Sequence, residues 1–63
     1  MTKDENDNLK ISDRIEHEKS KNRGTVVYFK CNGKIVYVRF DDGFLMDYYR
    51  DYLTDSLIKL VYD

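Results

Sequence analysis

This chain of 63 residues contains one histidine and one cysteine, the residue types that most often act together as base and nucleophile. His17 and Cys31 could form a base and nucleophile pair, but they fall on different predicted elements. A reactive cysteine needs a nearby base and an oxyanion-stabilising pocket, and no motif marks either of them. Structural zinc sites take four Cys or His ligands at recognisable spacing, which the sequence lacks. The sequence therefore predicts a non-enzymatic protein with no catalytic residue, no metal and no cofactor.

Asp41 and Asp42 are a second pair of chemical interest, because adjacent carboxylates can carry acid–base chemistry or bind a divalent cation. They stand directly before Gly43. Asp commonly bonds to the local backbone in a turn, and Gly supplies the positive φ that such turns need. We interpret Asp41-Asp42-Gly43 as a hairpin corner. A chain this short also has little room for a deep pocket beside its core, so a shallow surface function is favoured.

The charges are unevenly distributed, although the net charge is only −1. Residues 19–34 contain no acid and five bases, which are Lys19, Lys21, Arg23, Lys30 and Lys34. Because Tyr28 and Phe29 lie inside this segment, it could follow a phosphate backbone while aromatic rings stack on bases. Residues 41–63 are acidic by contrast and would repel nucleic acid. A nucleic-acid-binding module is therefore the alternative function.

Six tyrosines are more than one small core can bury. Exposed tyrosine and arginine are typical of the centres of protein interfaces. We expect a partner-binding surface composed of Tyr37, Arg39, Tyr48, Tyr49, Arg50 and Tyr52. The first function hypothesis is accordingly a protein-binding adaptor or inhibitor, and a third is a subunit of a larger enzyme with no activity of its own.

The first eight residues contain no apolar side chain after Met1. We therefore predict a disordered tail over residues 1–8 and one domain over residues 9–63. Alternation of Leu9, Ile11 and Ile15 predicts a half-buried strand over about Lys10 to Glu18, and a helix fits the same spacing loosely. No apolar run approaches the roughly 18 residues of a membrane span, and the polar, acidic start differs from a signal peptide. We expect a soluble, cytoplasmic protein, and the single cysteine fits a reducing compartment.

Two β-rich runs, Thr25–Phe29 and Ile35–Phe40, lie on either side of Asn32-Gly33. Asn-Gly between such runs is the strongest short-range hairpin signal, because both residues accept the positive φ of a type I′ turn. One face of the second run is entirely apolar and is expected to point into the core, namely Val36, Val38 and Phe40. The other face turns Tyr37 and Arg39 towards solvent.

The rest of the chain completes a small β fold. Phe44–Tyr49 follows the Gly43 corner as a further hairpin strand, Arg50–Ser56 lacks alternation and is predicted as a single helical turn, and Leu57–Val61 is short enough for a closing strand. Five short strands, tight turns and no proline predict an all-β, five-stranded SH3-like small barrel with one helical turn before the last strand.

Several short motifs resemble those of Tudor-like and KOW-like SH3-fold modules. They are Ile11-Ser12-Asp13-Arg14-Ile15-Glu16-His17, then Arg23-Gly24-Thr25-Val26-Val27, then the strand from Val36 that ends in Phe40-Asp41-Asp42-Gly43, and finally Leu57 to Leu60. The chain is similar in particular to the Tudor-like domain at the C-terminus of bacterial repair helicases, in which a comparable Asp-Arg-aliphatic-x-His opening precedes Gly-Thr-Val. This resemblance implies an SH3-like barrel and a partner such as RNA polymerase or another nucleic-acid-processing machine.

The chain departs from that helicase domain at two places. Ser20 and Lys21 stand where Phe-Gly is usual, and the segment between Gly43 and Leu57 is longer and more aromatic. The small size and the Lys, Asn, Tyr and Asp-rich composition also fit a phage or mobile-element protein that blocks a host factor.

Overall fold

The computed structural model describes the backbone of residues 1–59 and the side chains of residues 1–54. The architecture is predominantly β, with four strands in one antiparallel sheet. These strands are β1 (Arg14–His17), β2 (Arg23–Lys30), β3 (Ile35–Phe40) and β4 (Leu45–Tyr49). A three-residue segment, β5 (Leu57–Lys59), pairs with the other side of β1. Because β4 and β5 form the two edges, the described pairings make an open sheet.

Three short helical elements accompany the sheet. Helix α1 covers Lys3–Asp7, a 3₁₀ turn covers Arg50–Tyr52, and helix α2 covers Leu53–Ser56. The last two confirm the helical turn predicted between the fourth strand and the chain end. The last two residues of the predicted closing strand, Leu60 and Val61, lie outside the described residues. No helix within residues 1–59 has the length and apolar character needed to cross a bilayer.

The β2–β3 hairpin forms where the sequence predicts it. Asn32 and Gly33 have φ angles of +56° and +85°, and the Lys34 N–H donates to the Cys31 carbonyl over 3.1 Å. These are the features of the expected type I′ turn. The strand that follows presents its apolar face to the core as predicted, because three alternate residues are buried: Val36, Val38 and Phe40.

Among the side chains of residues 1–54, one buried cluster forms the core, and it consists of Leu9, Ile15, Val26, Val36, Val38, Phe40 and Leu53. Gly24 of β2 allows the neighbouring strand to approach closely. A Cβ atom at this position would lie 2.8 Å from the carbonyl oxygen of Arg39 and 2.8 Å from a methyl group of Val38. The glycine of the Gly-Thr-Val motif therefore has a packing role.

Strand β1 begins later than the sequence predicts, at Arg14 and not near Lys10. Residues 11–12 form a turn, in which Ser12 has a φ of +80°. The Asp13 carboxylate accepts a hydrogen bond of 2.8 Å from the Lys10 N–H, which closes this turn locally. Local side-chain bonding of this kind competes with strand formation. The apparent alternation of Leu9, Ile11 and Ile15 is therefore interrupted, and Ile11 is exposed.

Helix α1 lies within residues 1–8, the segment for which the sequence predicts a disordered tail. Thr2 and Glu5 form a capping box, each side chain bonding the other's backbone N–H at 3.1 and 2.8 Å. Asn6 is buried and donates from Nδ2 to the Arg50 carbonyl at 2.8 Å. The segment is thus attached by polar contacts and by Met1, which packs against the core, and a search for apolar patterning does not detect this attachment.

Deleting residues 1–8 should consequently lower the stability of the domain. The deletion removes the contacts of Asn6 with Arg50 and leaves hydrogen-bonding groups of Arg50 without these partners. Losing such bonds costs about 1–3 kcal/mol. Urea unfolding followed by circular dichroism would measure the change, and Lys3→Ala, at an exposed position, serves as the control. An unchanged midpoint in the truncated chain would mean that the segment is not docked in solution.

Candidate functional site

The face of the sheet that points away from the core carries an aromatic and basic surface. Register pairs Tyr28 with Tyr37, and their rings stack with centroids 4.4 Å apart and an interplanar angle of 19°. The Lys30 ammonium lies 5.2 Å from the Tyr37 ring centroid and 5.8 Å from that of Tyr28. Arg39 and Tyr49 lie on the same face by strand alternation. We call this surface the tyrosine face, and it consists of Tyr28, Lys30, Tyr37, Arg39 and Tyr49.

A bulge in β2 determines which aromatic side chains reach the tyrosine face. The pairing of β2 with β3 shifts between Val26 and Tyr28, so Val27 is an additional residue in the ladder. Without the bulge, strict alternation from buried Val26 would turn Tyr28 inward and Phe29 outward. With the bulge, Tyr28 is exposed and Phe29 packs against the core. The spacing of apolar residues along β2 does not reveal this bulge, so the sequence alone does not place Tyr28 among the partner-binding residues.

The sequence-predicted partner residues do not form one continuous surface. Tyr37, Arg39 and Tyr49 lie on the tyrosine face, and Tyr49 is 64% exposed. Tyr52 is close to it, because the rings of Tyr49 and Tyr52 meet edge to face at 6.1 Å. Tyr48 alternates to the opposite face, where it packs against the core, and this burial raises the pKa of its hydroxyl group.

Arg50, the remaining predicted partner residue, lies in a network of contacts within the fold. Its guanidinium donates to the carbonyl of Asn6 at 2.6 Å and to that of Gly33 at 3.3 Å. The same group lies 5.3 Å from the centroid of the Phe29 ring. Arg50 therefore connects helix α1, the β2–β3 turn and the end of β4. Its contacts indicate a structural role.

The basic residues of the alternative hypothesis are divided between the two ends of β2. Lys19 and Lys21 lie in the β1–β2 connection and Arg23 begins β2, whereas Lys30 ends the strand and Lys34 follows it in the turn. Strands rise about 3.3 Å per residue, so these groups are roughly 20 Å apart along β2. Arg23 also bonds to the Glu16 carboxylate at 3.2 Å. The five bases do not form one patch, and Lys30 belongs to the tyrosine face.

His17 and Cys31, the residues considered as a base and nucleophile pair, lie at opposite ends of β2. His17 ends β1 beside the start of β2, whereas Cys31 follows the end of β2 and is exposed. The His17 Nδ1 atom accepts hydrogen bonds of 3.3 Å from the N–H groups of Lys19 and Ser20. This imidazole therefore stabilises the β1–β2 connection. No group of three or more His, Cys, Asp or Glu side chains within the described part of the chain is placed to hold a metal ion.

The aspartates stabilise the corner between β3 and β4, as their interpretation as a turn predicts. Asp42 accepts a hydrogen bond of 3.2 Å from the Phe44 N–H, and Gly43 has a φ of +102°. Asp41 accepts two hydrogen bonds of 2.7 and 2.8 Å from the Arg14 guanidinium. These bonds hold the pKa of the Asp41 carboxyl below its usual value. The Arg14–Asp41 ion pair therefore joins the start of β1 to the Asp41-Asp42-Gly43 corner.

The Arg14–Asp41 ion pair makes the stability of the fold depend on pH, and the lowered pKa of Asp41 determines the sign. Because the folded state favours ionised Asp41, its contribution to stability is present above the unfolded pKa of about 3.9 and is lost as the pH falls through the lower folded value. We expect the melting temperature of the wild type to fall more on acidification below pH ~4 than that of Asp41→Asn. The pair is solvent-exposed, so the difference should be small. Parallel pH profiles of the two proteins would contradict this role of Asp41.

A shallow groove lies on the other face of the sheet, next to β4. It has a volume of about 260 Å³, and its apolar wall is formed by Phe40, Phe44, Met46 and Tyr48. His17, Ser20 and Asn22 from the β1–β2 connection complete it together with Asp42. The groove and the tyrosine face therefore lie on opposite sides of the same edge strand.

The geometry of the described residues is best suited to recognition through an exposed surface. Stacked tyrosines with neighbouring cations offer contact area, hydrogen-bonding hydroxyls and positive charge at fixed positions. Comparisons of the chain with protein-family models, with curated proteins and with solved structures gave no match.

Proposed function

We propose that this chain is a non-enzymatic protein-binding module, an adaptor or inhibitor, that engages a macromolecular partner through the tyrosine face. The observation that carries the proposal is the stack of exposed Tyr28 on half-buried Tyr37, with the Lys30 ammonium beside both rings. Tyrosine and arginine are among the residue types that most often dominate binding energy at protein interfaces, and Arg39 lies on the same face as the stack.

The fold supports a finer proposal, that of an SH3-like module. The strand order β4-β3-β2-β1-β5, with a 3₁₀ turn between β4 and β5, is the order expected of a five-strand SH3-like meander. Together with the motifs that resemble Tudor-like and KOW-like modules, it makes RNA polymerase or another nucleic-acid-processing machine the proposed class of partner. Fold alone does not identify a function, so this class rests on the resemblance.

Charge distribution favours a protein over a nucleic acid as the partner. Exposed Asp47 is directly opposite Tyr37 in the register, at the border of the tyrosine face. A phosphate backbone crossing this face would meet the Asp47 carboxylate. The bases of residues 19–34 other than Lys30 lie near the two ends of β2, namely Lys19, Lys21, Arg23 and Lys34. A protein surface can place acidic groups beside the lysine and arginine side chains and a basic group beside Asp47, which a uniformly anionic phosphate backbone cannot do.

Salt dependence tests the proposal. The immobilised chain would capture its partner from native lysate, mass spectrometry would identify the partner, and titration of the purified pair at several salt concentrations would follow. We expect log Kd to change little with log salt. For a nucleic-acid complex, the logarithm of the association constant would instead fall linearly with log salt, with a slope of about −0.9 for each phosphate neutralised on duplex DNA. Such a slope, with nucleic acid recovered, would favour the alternative function.

A further inference from the structure

Strand β4 is an edge strand whose outer hydrogen-bonding groups have no partner strand within residues 1–59. Two bonds determine which groups point outwards. The Phe40 N–H donates to the Phe44 carbonyl at 2.7 Å, and the Arg50 N–H donates to the Lys34 carbonyl at 2.8 Å. Hydrogen-bonded and non-hydrogen-bonded residue pairs alternate along an antiparallel ladder. Between Phe44 and Arg50, the residues whose backbone groups bond to β3 are therefore Met46 and Tyr48. The N–H and C=O groups of Leu45, Asp47 and Tyr49 therefore face away from the sheet.

Apart from the charge of Asp47, this edge lacks the devices with which proteins usually prevent strand pairing. The chain has no proline, β4 has no lysine, and the register with β3 runs without a bulge from Leu45 to Tyr49. Leu45 and Met46 are 43% and 45% exposed. A regular and accessible edge with one charged residue among apolar and aromatic ones is a template for an added strand.

The side chains beside the edge specify the chemistry of such a strand. Its residues opposite Leu45, Asp47 and Tyr49 would lie on the side of the tyrosine face, and exposed Asp47 calls for a lysine or arginine opposite it. The alternate residues would lie beside Met46 and Tyr48, over the groove, which suits aliphatic side chains. Antiparallel pairing of all five β4 residues with a second copy would place Asp47 opposite its own equivalent, and like charges there are destabilising.

We propose that β4 binds an extended segment of the partner protein by strand addition, in which aliphatic residues over the groove alternate with basic residues on the side of Asp47. This inference rests on the proposed function and adds to it the mode of binding and the chemistry of the partner segment. Main-chain bonds to Leu45, Asp47 and Tyr49 provide the attachment, and the two rows of side chains provide the selectivity.

Short synthetic peptides in which valine alternates with lysine test the proposal by fluorescence anisotropy. In an antiparallel added strand, lysines opposite Asp47 form the hydrogen-bonded pairs, so their N–H groups point at β4 and those of the valines point away. N-methylation of the lysine amides should weaken binding at least about tenfold. N-methylation of the valine amides should leave the affinity within about twofold, since those groups make no bond to β4. Equal effects of the two methylation patterns would overturn strand addition.

Charge selectivity provides a second test on the full chain. Replacing lysine by glutamate in the peptide should weaken binding roughly fivefold, and Asp47→Lys should reverse that preference. Circular dichroism would first show that the variant is folded. In NMR spectra, the amides of Leu45, Asp47 and Tyr49 should shift most on titration with the peptide. Shifts restricted to residues outside β4, or an unchanged preference in Asp47→Lys, would contradict the proposal.

Two further outcomes separate this inference from the function on which it rests. If the valine–lysine peptides fail to bind but Tyr37→Ala/Arg39→Ala still releases the captured partner, strand addition is wrong and the protein-binding function stands. If the peptides bind as expected and the captured ligand is a nucleic acid, the strand site stands and the proposed function is wrong. Concentration-dependent broadening of the β4 amides without peptide would show pairing with a second copy, which overturns the proposed occupant.

Discussion

Ile15→Ala is expected to remove a large part of the domain's free energy of unfolding. The Ile15 side chain is fully buried on β1, which is paired on both sides by β2 and β5. Truncating a buried isoleucine to alanine costs about 2–5 kcal/mol, because apolar contacts are lost and a cavity remains. At ~0.05–0.15 kcal/mol per residue, a domain of this length is stable by only about 3–9 kcal/mol. The substitution therefore removes much of the available stability.

Ile11 provides a matched control of the same residue type. Its side chain is 56% exposed in the turn before β1, so Ile11→Ala should change the free energy of unfolding by less than about 0.5 kcal/mol. Urea unfolding of both variants and the wild type, followed by circular dichroism, gives the three midpoints and slopes. Similar midpoints for Ile15→Ala and Ile11→Ala would contradict the placement of the turn and the register of β1.

The double variant Tyr37→Ala/Arg39→Ala should abolish partner binding without unfolding the domain. Both side chains point away from the core on β3, between the buried residues Val36, Val38 and Phe40. Tyr37 forms the stack with Tyr28, so its removal disrupts the centre of the tyrosine face. Residues of these two types at an interface centre can each lose about 2 kcal/mol or more on truncation. The combined loss corresponds to roughly a thousandfold in Kd.

The lysines of the β1–β2 connection are the control for this double variant. Lys19→Ala/Lys21→Ala removes two charges at the far end of β2 and leaves the tyrosine face intact. We expect its affinity for a protein partner to stay within about threefold of the wild type. Lys30 is unsuitable as a control, because its ammonium lies beside both stacked rings. Normal binding by Tyr37→Ala/Arg39→Ala, with loss of binding by the lysine variant, would refute the primary function and support a nucleic-acid module.

Local chemistry explains why the sequence by itself determined the centre of the fold. Asn32-Gly33 specifies its turn because both residues tolerate positive φ. The two-residue period of β3 assigns one face to the core and turns Tyr37 and Arg39 outwards. Each of these conclusions depends only on a residue and its immediate neighbours in the chain.

Contacts between residues that are far apart in the chain determine the features of the fold that the sequence alone does not predict. The bulge at Val27 brings Tyr28 onto the outer face and Phe29 into the core, which strict alternation along β2 reverses. Arg50 bonds to Asn6 of helix α1, which lies more than forty residues away in the chain, and residue spacing does not predict this contact. A bulge and a docked helix depend on the relative free energies of whole packing arrangements, and only the tertiary structure resolves them.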